Sequence, residues 1–195
     1  MPTPLLIHAC CAPCAVYPLK ILLGRGGFSP LRLFFYNPNI QPEDEYLRRR
    51  DALAYLGFAA PSYFGSDIPL LLDFPPRQAR EHLLAVGGEL FSRKRCVLCY
   101  RLRLAAAAKR AKELGYPAFT SALLYSGRQR HEAIKEEGGR LAAQYGLEFY
   151  YEDFRTGLKE GRRMSRELGL YRQRYCGCVF EGMEAEGFER EGSSG

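Results

Sequence analysis

PLLIHACCAPCAVYPLKILLG, residues Pro4 to Gly24, decides the fold. Pro4 to Ala9 is an unbroken apolar run of the length of a short buried strand, and Ala15 to Leu23 carries apolar residues at helical spacing until Gly24 stops it. Strand, tight turn and helix follow one another directly, with three cysteines in the turn. The same alternation recurs downstream. LRLFFY (Leu31 to Tyr36) reads as a strand with Pro42 to Leu56 as a helix. AFTSALL (Ala118 to Leu124) precedes a helix from about Arg130 to Tyr145, and LEFYYED (Leu147 to Asp153) precedes one from about Leu158 to Leu168. Strands separated by helices pair in parallel, so the class is α/β with an open parallel sheet and helices on both faces.

A further strand is expected near Tyr63. Between the second and third units lies a mostly helical insertion, Gln78 to Leu114, whose later part, CVLCYRLRLAAAAKRAKEL, is strongly helical by propensity. One domain is therefore expected over residues 1–182, with the insertion at about 76–115 and a frayed polar tail over 183–195. In such sheets ligands bind at the carboxyl ends of the strands, where connections diverge to opposite faces. HACCAPC, YNPNIQP, LLYSGRQRH and EDFRTG all fall at strand ends, so one pocket can collect all four.

The chain has 195 residues, 47% of them hydrophobic and 13% aromatic, enough for one sizeable core. It contains no apolar run of roughly 18 residues, and its N-terminus lacks the basic flank and cleavage site of a secretory signal, so a cytoplasmic protein without membrane association is expected. Seven cysteines are an odd number and fall below the roughly 8–10% of a disulfide-built scaffold, which points to metal or redox chemistry. The net charge of +6 is carried mostly by arginine, in YLRRR, GRQRH, EGRRMSR and YRQRY. Arginine interleaved with tyrosine suits nucleic acid, while a solvated basic surface explains the charge alone equally well.

The cysteines form three groups: Cys10, Cys11 and Cys14; Cys96 and Cys99; Cys176 and Cys178. Cys96 and Cys99, three apart where a helix begins, can share a face and bite one metal centre. The positive end of the helix after HACCAPC favours thiolate there. A zinc ion takes at most four ligands and leaves three cysteines without a role, whereas an iron–sulfur cluster takes four and leaves the rest for a second metal or a redox pair; the spacing matches none of the ferredoxin runs. Two rivals remain. Cys11-x-x-Cys14 at a strand-to-helix turn is the arrangement of a thiol–disulfide oxidoreductase, and a zinc-stabilised RNA-binding module would use the same sulfurs without catalysis.

IHACCAPC, YNPNIQPEDEYLRR, RCVLCYRLRL, DFRTG and LYRQRYCGC, in this order from about Leu5 to Phe180, resemble the cobalamin-independent epoxyqueuosine reductases, the QueH family. The resemblance implies a cytosolic tRNA-modifying oxidoreductase on a Rossmann-like domain related to the adenine-nucleotide hydrolases. It implies reduction of the epoxide of epoxyqueuosine, at the wobble position of a tRNA anticodon stem-loop, to the cyclopentene of queuosine. It further implies a [4Fe-4S] cluster with an adjacent iron ion, no cobalamin and an external electron donor. The phosphate loop of the ATP-using relatives is missing, and cysteines stand where it would lie, which argues against ATP.

Carried onto this chain, the resemblance assigns Cys10, Cys11, Cys96 and Cys99 to the cluster, and Cys14, Cys176 and Cys178 to the second iron or a redox pair, with Asp153 as a possible oxygen ligand. Removing the epoxide oxygen takes two electrons and two protons, and His131, Tyr125 and Asp153, on candidate strand-end loops, are the possible acids. Arg48, Arg128 and Arg172 are expected to hold phosphates, Tyr36 to offer a stacking face, and Asn37 and Asn39 to bond the base or to set the turn. His8, inside an apolar strand, reads as a satisfied core histidine.

Overall fold

The structure, a computed structural model, describes residues 1–74, 81–83, 92–178 and 180. Its centre is β1 (Thr3–His8), which pairs in parallel with β2 (Phe28–Phe35) on one side and β4 (Ala118–Ser121) on the other. β3 (Leu70–Leu72) extends the sheet beyond β2 and β5 (Glu148–Phe149) extends it beyond β4, giving the order β3-β2-β1-β4-β5. Leu5, Leu6 and Ile7 of β1 and Phe119 of β4 are fully buried. A strand covered on both faces needs no polar alternation, so its sequence is a plain apolar run.

The chain builds outward from β1 to β3, then returns to β1's other edge to lay down β4 and β5. The direction reverses between β1 and β4, and at such a switch point the two following loops part to leave a crevice. Those loops are HACCAPC and the stretch after Ser121. The helices are α1 (Ala12–Gly24), α2 (Glu43–Phe64), α3 (Ser92–Glu113), α4 (His131–Tyr145) and α5 (Leu158–Glu167). α1 packs against α2 and α5, while α3 packs against α4, β1 and β4. Together they make the open, Rossmann-like α/β architecture expected. Among the described residues no helix is long and apolar enough to cross a membrane.

Three expectations need correction. Tyr63 is helical, because α2 runs to Phe64 and ends at Gly65, whose φ of 69° is the left-handed cap; the third strand lies later, at Leu70–Leu72. Gly57 and Pro61 look like breakers in sequence, but Leu53, Leu56 and Ala60 are buried and hold the helix across them. AFTSALL is strand only to Ser121, whose Oγ accepts from Leu123 N at 3.2 Å and starts a 3-10 turn over Ala122–Tyr125. LEFYYED keeps only Glu148–Phe149 as strand: Tyr150 O accepts from the Thr120 hydroxyl at 2.7 Å rather than from a backbone N–H. Residues 75–80 and 84–91 of the insertion and the tail over 183–195 lie outside the described residues.

Candidate functional site

Ala9 N still donates to Phe34 O at 2.9 Å, after which the backbone leaves the sheet and Cys11 becomes the N-cap of α1. No side-chain cap bond is made there, so the first-turn N–H groups of α1 get no help from its sulfur. Cys14 lies one helical step further on, and the sulfurs of Cys10, Cys11 and Cys14, all buried, come within 4.8 Å of one another. The turn is fastened on two sides. Asn37 Nδ2 donates to Ala9 O at 3.0 Å. His8 is fully buried, and burial lowers its pKa to about 4, so the ring is neutral. A neutral ring donates from one nitrogen only: Nε2 to Tyr36 O at 3.3 Å, leaving Nδ1 to accept from the Ser121 hydroxyl at 2.9 Å. His8 thus ties the ends of β1, β2 and β4 together, a satisfied core histidine.

The three thiols do not behave alike. Hydrogen bonds from Cys11 and Cys14 pull the Cys10 thiol well down, aided by the charges of Arg103 and Arg49. Burial pushes Cys11 up, and the Cys10 neighbour pushes Cys14 up. Cys10 gives up its proton more readily than Cys11 or Cys14, and ionising the other two sulfurs beside it calls for more positive charge, which a bound metal supplies. The group could hold a metal.

Two guanidiniums flank it. Arg49 is fully buried on α2; its Nε donates to Glu45 Oε1 at 2.7 Å, Nη1 to Cys176 O at 2.9 Å and Nη2 to Tyr175 O at 3.0 Å. The Tyr175 hydroxyl donates to Gln41 O, and Gln41 N to Gly177 O at 2.8 Å. Gly177 has φ 103°, and a side chain there would sit 3.0 Å from Arg49 Nη1. YCGC is therefore docked on α2 by an arginine. Arg103, buried one turn beyond Cys99 on α3, donates from Nε to Cys99 O at 3.3 Å. Burial works against its charge, but Cys99, Cys10 and Cys176 more than offset it. Burial raises the Cys99 thiol to about 11 against Arg103, with Cys178, Cys96 and Cys10 near enough to add to the rise.

A cavity of about 280 Å³ opens on this group, lined among others by Cys10, Cys14, Arg49, Tyr125, Arg162 and Gln173. Cys176 and Arg128 also reach it. Of the expected acids, Tyr125 is the one that lines it. Its hydroxyl donates to Leu158 O at 3.3 Å, and burial raises its pKa to about 12, so it carries its proton at neutral pH. α5 can approach because Gly161 has no side chain: a Cβ there would lie 2.3 Å from the Tyr125 oxygen. Gly161→Ala should therefore displace Tyr125 and cost about 1–3 kcal/mol of stability by overpacking, read as a lower denaturant midpoint; an unchanged midpoint would mean that this contact is loose.

The other expected residues lie elsewhere. His131 Nε2 bonds the Tyr151 hydroxyl at 3.1 Å, outside the cavity. Asp153 caps the 3-10 turn Phe154–Gly157, and its bond with the Arg155 guanidinium holds its pKa down to about 2, so it is ionised and engaged locally. Arg48 is exposed and paired with Asp44; it is the next residue, Arg49, that reaches the cavity. Arg172 is exposed and does not line it. Tyr36 stacks on Phe34 with ring centroids 6.3 Å apart. Asn37 sets the turn, and the amide of Asn39 is buried with neither end paired among the described residues. Arg49, Arg103, Arg162 and Gln173 were not anticipated. The i,i+4 spacings Glu45–Arg49 and Cys99–Arg103 were the available signal for the first two.

A model of the family described as epoxyqueuosine reductase QueH matches residues 5–184. Among curated relatives, the epoxyqueuosine reductase QueH of Thermotoga maritima is 36% identical over 186 residues, covering 92% of this chain and 90% of its own. That of Dehalococcoides mccartyi is 33% identical, covering 94% of each; that of Streptococcus pyogenes is 33% identical, covering 90% of this chain and 69% of its own. An isolated Cys11–Cys14 thiol–disulfide pair is not favoured, since Cys10 belongs to the same sulfur group. On a match running from the start of β1 past the docked YCGC segment, the chain belongs to the epoxyqueuosine reductase QueH family.

Proposed function

We propose that this chain is an epoxyqueuosine reductase of the cytoplasm, acting on tRNA and fed by an external electron donor. The observation that carries the reading is the buried group of Cys10, Cys11 and Cys14, flanked by two buried guanidiniums and opening on a cavity large enough for part of a nucleoside. The donor set suits iron: soft sulfurs whose joint ionisation needs a cation. On this reading Cys10, Cys11, Cys96 and Cys99 hold a [4Fe-4S] cluster, and Cys14, Cys176 and Cys178 hold a second iron or act as a redox pair. When bound, the iron would supply electrons and a Lewis acid for the departing oxygen.

The chain's own residues then have separable tasks. Arg49 holds Cys176 at the cavity and offsets thiolate charge. Tyr125, protonated and facing the cavity, turns its hydroxyl from Leu158 O to the epoxide oxygen and delivers one proton, solvent supplies the second, and the oxygen leaves as water after two electrons have been consumed. His131 and Asp153, occupied elsewhere, are set aside as acids, and Asp153 is set aside as an iron ligand. Arg128, at the cavity wall, keeps the phosphate-holding role expected of it, and Arg162 joins it there in place of Arg48 and Arg172.

The test is conversion of epoxyqueuosine-containing tRNA by protein purified without air, followed by nucleoside mass analysis. Product is expected with wild type and a reductant, and not with Cys10→Ser. Equal conversion by both would overturn the reading.

A further inference from the structure

Gln173 lies in the segment that returns from α5 toward YCGC, and the mechanism so far gives it no role. Its Nε2 is 2.7 Å from Cys11 Sγ and 3.5 Å from Cys14 Sγ, so one amide group bridges two of the three clustered sulfurs. Its other end, Oε1, is buried and has no hydrogen-bond partner among the described residues, and the side chain lines the cavity. The orientation follows from charge. A metal-bound thiolate accepts hydrogen bonds and repels a carbonyl oxygen, so with these sulfurs as iron ligands the NH2 end faces them. That leaves a buried acceptor unpaired, which is destabilising unless something donates to it.

We infer that Gln173 is a positioning residue joining the sulfurs to the ligand: its N–H groups donate to the sulfurs of Cys11 and Cys14, and its carbonyl accepts from a hydroxyl or N–H donor of the molecule in the cavity. The inference rests on the reading of these sulfurs as iron ligands. Hydrogen bonds to cluster sulfurs withdraw electron density and raise the reduction potential. A donor arriving at the carbonyl polarises the amide and strengthens its N–H bonds, as hydrogen bonds in series do. Occupancy of the cavity is thereby coupled to the ease of reduction: substrate makes the centre easier to reduce, and by linkage the reduced protein holds substrate more tightly.

The experiment uses the full chain, iron-loaded without air, as wild type, Gln173→Met and Gln173→Glu. Iron per chain is counted, and the midpoint potential is titrated spectroscopically with and without epoxyqueuosine-containing tRNA. Wild type is expected to shift upward on adding tRNA. Gln173→Met should keep its iron and sit lower by a tenfold change in the reduction equilibrium, ~59 mV for one electron, with little response to tRNA. Gln173→Glu, which keeps the acceptor but loses the donor and adds charge, should sit lower still. Should the methionine variant lose iron, the glutamate variant, of native size, carries the decision. Variants that hold iron at the wild-type potential and respond to tRNA as wild type does would overturn the inference. A wild type that binds no iron would instead overturn the reading beneath it.

Discussion

Arg49→Met is expected to lower the unfolding free energy by about 3–5 kcal/mol, the usual cost of removing one partner from a buried ion pair. Arg49 is fully buried, and Glu45, its partner at 2.7 Å, is nearly so. Methionine replaces the bulk but leaves the Glu45 carboxylate without its cation, and it leaves the carbonyls of Tyr175 and Cys176 without their donors. Denaturant unfolding measures the loss, and Arg48→Met is the natural comparison. Arg48 is exposed and pairs with Asp44 on the surface, so its removal should leave the denaturant midpoint nearly unchanged. Adding Glu45→Gln to Arg49→Met should restore part of the loss, because it removes the stranded charge. Two single variants of equal stability would show that Arg49 does not dock the YCGC segment.

Tyr125→Phe is expected to reduce kcat by about 10²–10⁴, the range of a positioned acid, while leaving the iron content as in wild type. The substitution deletes one oxygen and keeps the ring, whose centroid lies 6.1 Å from that of Tyr17. A purely structural Tyr125 would show a small loss of stability and little change in kcat. Single-turnover conversion of pre-reduced protein separates the two outcomes, since it isolates the chemical step from electron delivery.

The sequence carried the fold most clearly where strands are covered on both faces. β1 shows as an apolar run and α1 as a change of period, with the cysteines marking the turn between them. It misled where local breakers met tertiary packing. The helix expected over Pro42 to Leu56 runs on through Gly57 and Pro61 to Phe64, because Leu53, Leu56 and Ala60 pack on the core and hold it. The same helix explains why Arg49, and not the expected Arg48, reaches the cavity. Glu45, Arg49, Leu53, Leu56 and Ala60 share one buried stripe at three- and four-residue spacing, whereas Arg48 points the other way. Read by face rather than by richness in arginine, YLRRR would have yielded Arg49.

The cysteines were legible as groups because their spacing is local. Asp153 attracted attention as an oxygen donor, but its carboxylate is engaged locally by the backbone N–H and guanidinium of Arg155. Gln173 and Arg162 lie in stretches that showed in sequence only as rich in arginine, with nothing to single them out. The packing that brings this part of the chain to the cavity is long-range, with α5 against α1, Gly157 against Tyr17 and Gly161 against Tyr125, and is made by chain closure rather than by sequence pattern.

The central claim is that sulfurs gathered at the switch point of the sheet hold iron for the reduction. Iron and acid-labile sulfide, counted per chain on protein purified and kept without oxygen, test it most directly. The account predicts both elements in the wild type and their loss, or steep decline, in Cys10→Ser and Cys99→Ser. Wild-type protein free of iron that still converts epoxyqueuosine in tRNA would contradict it.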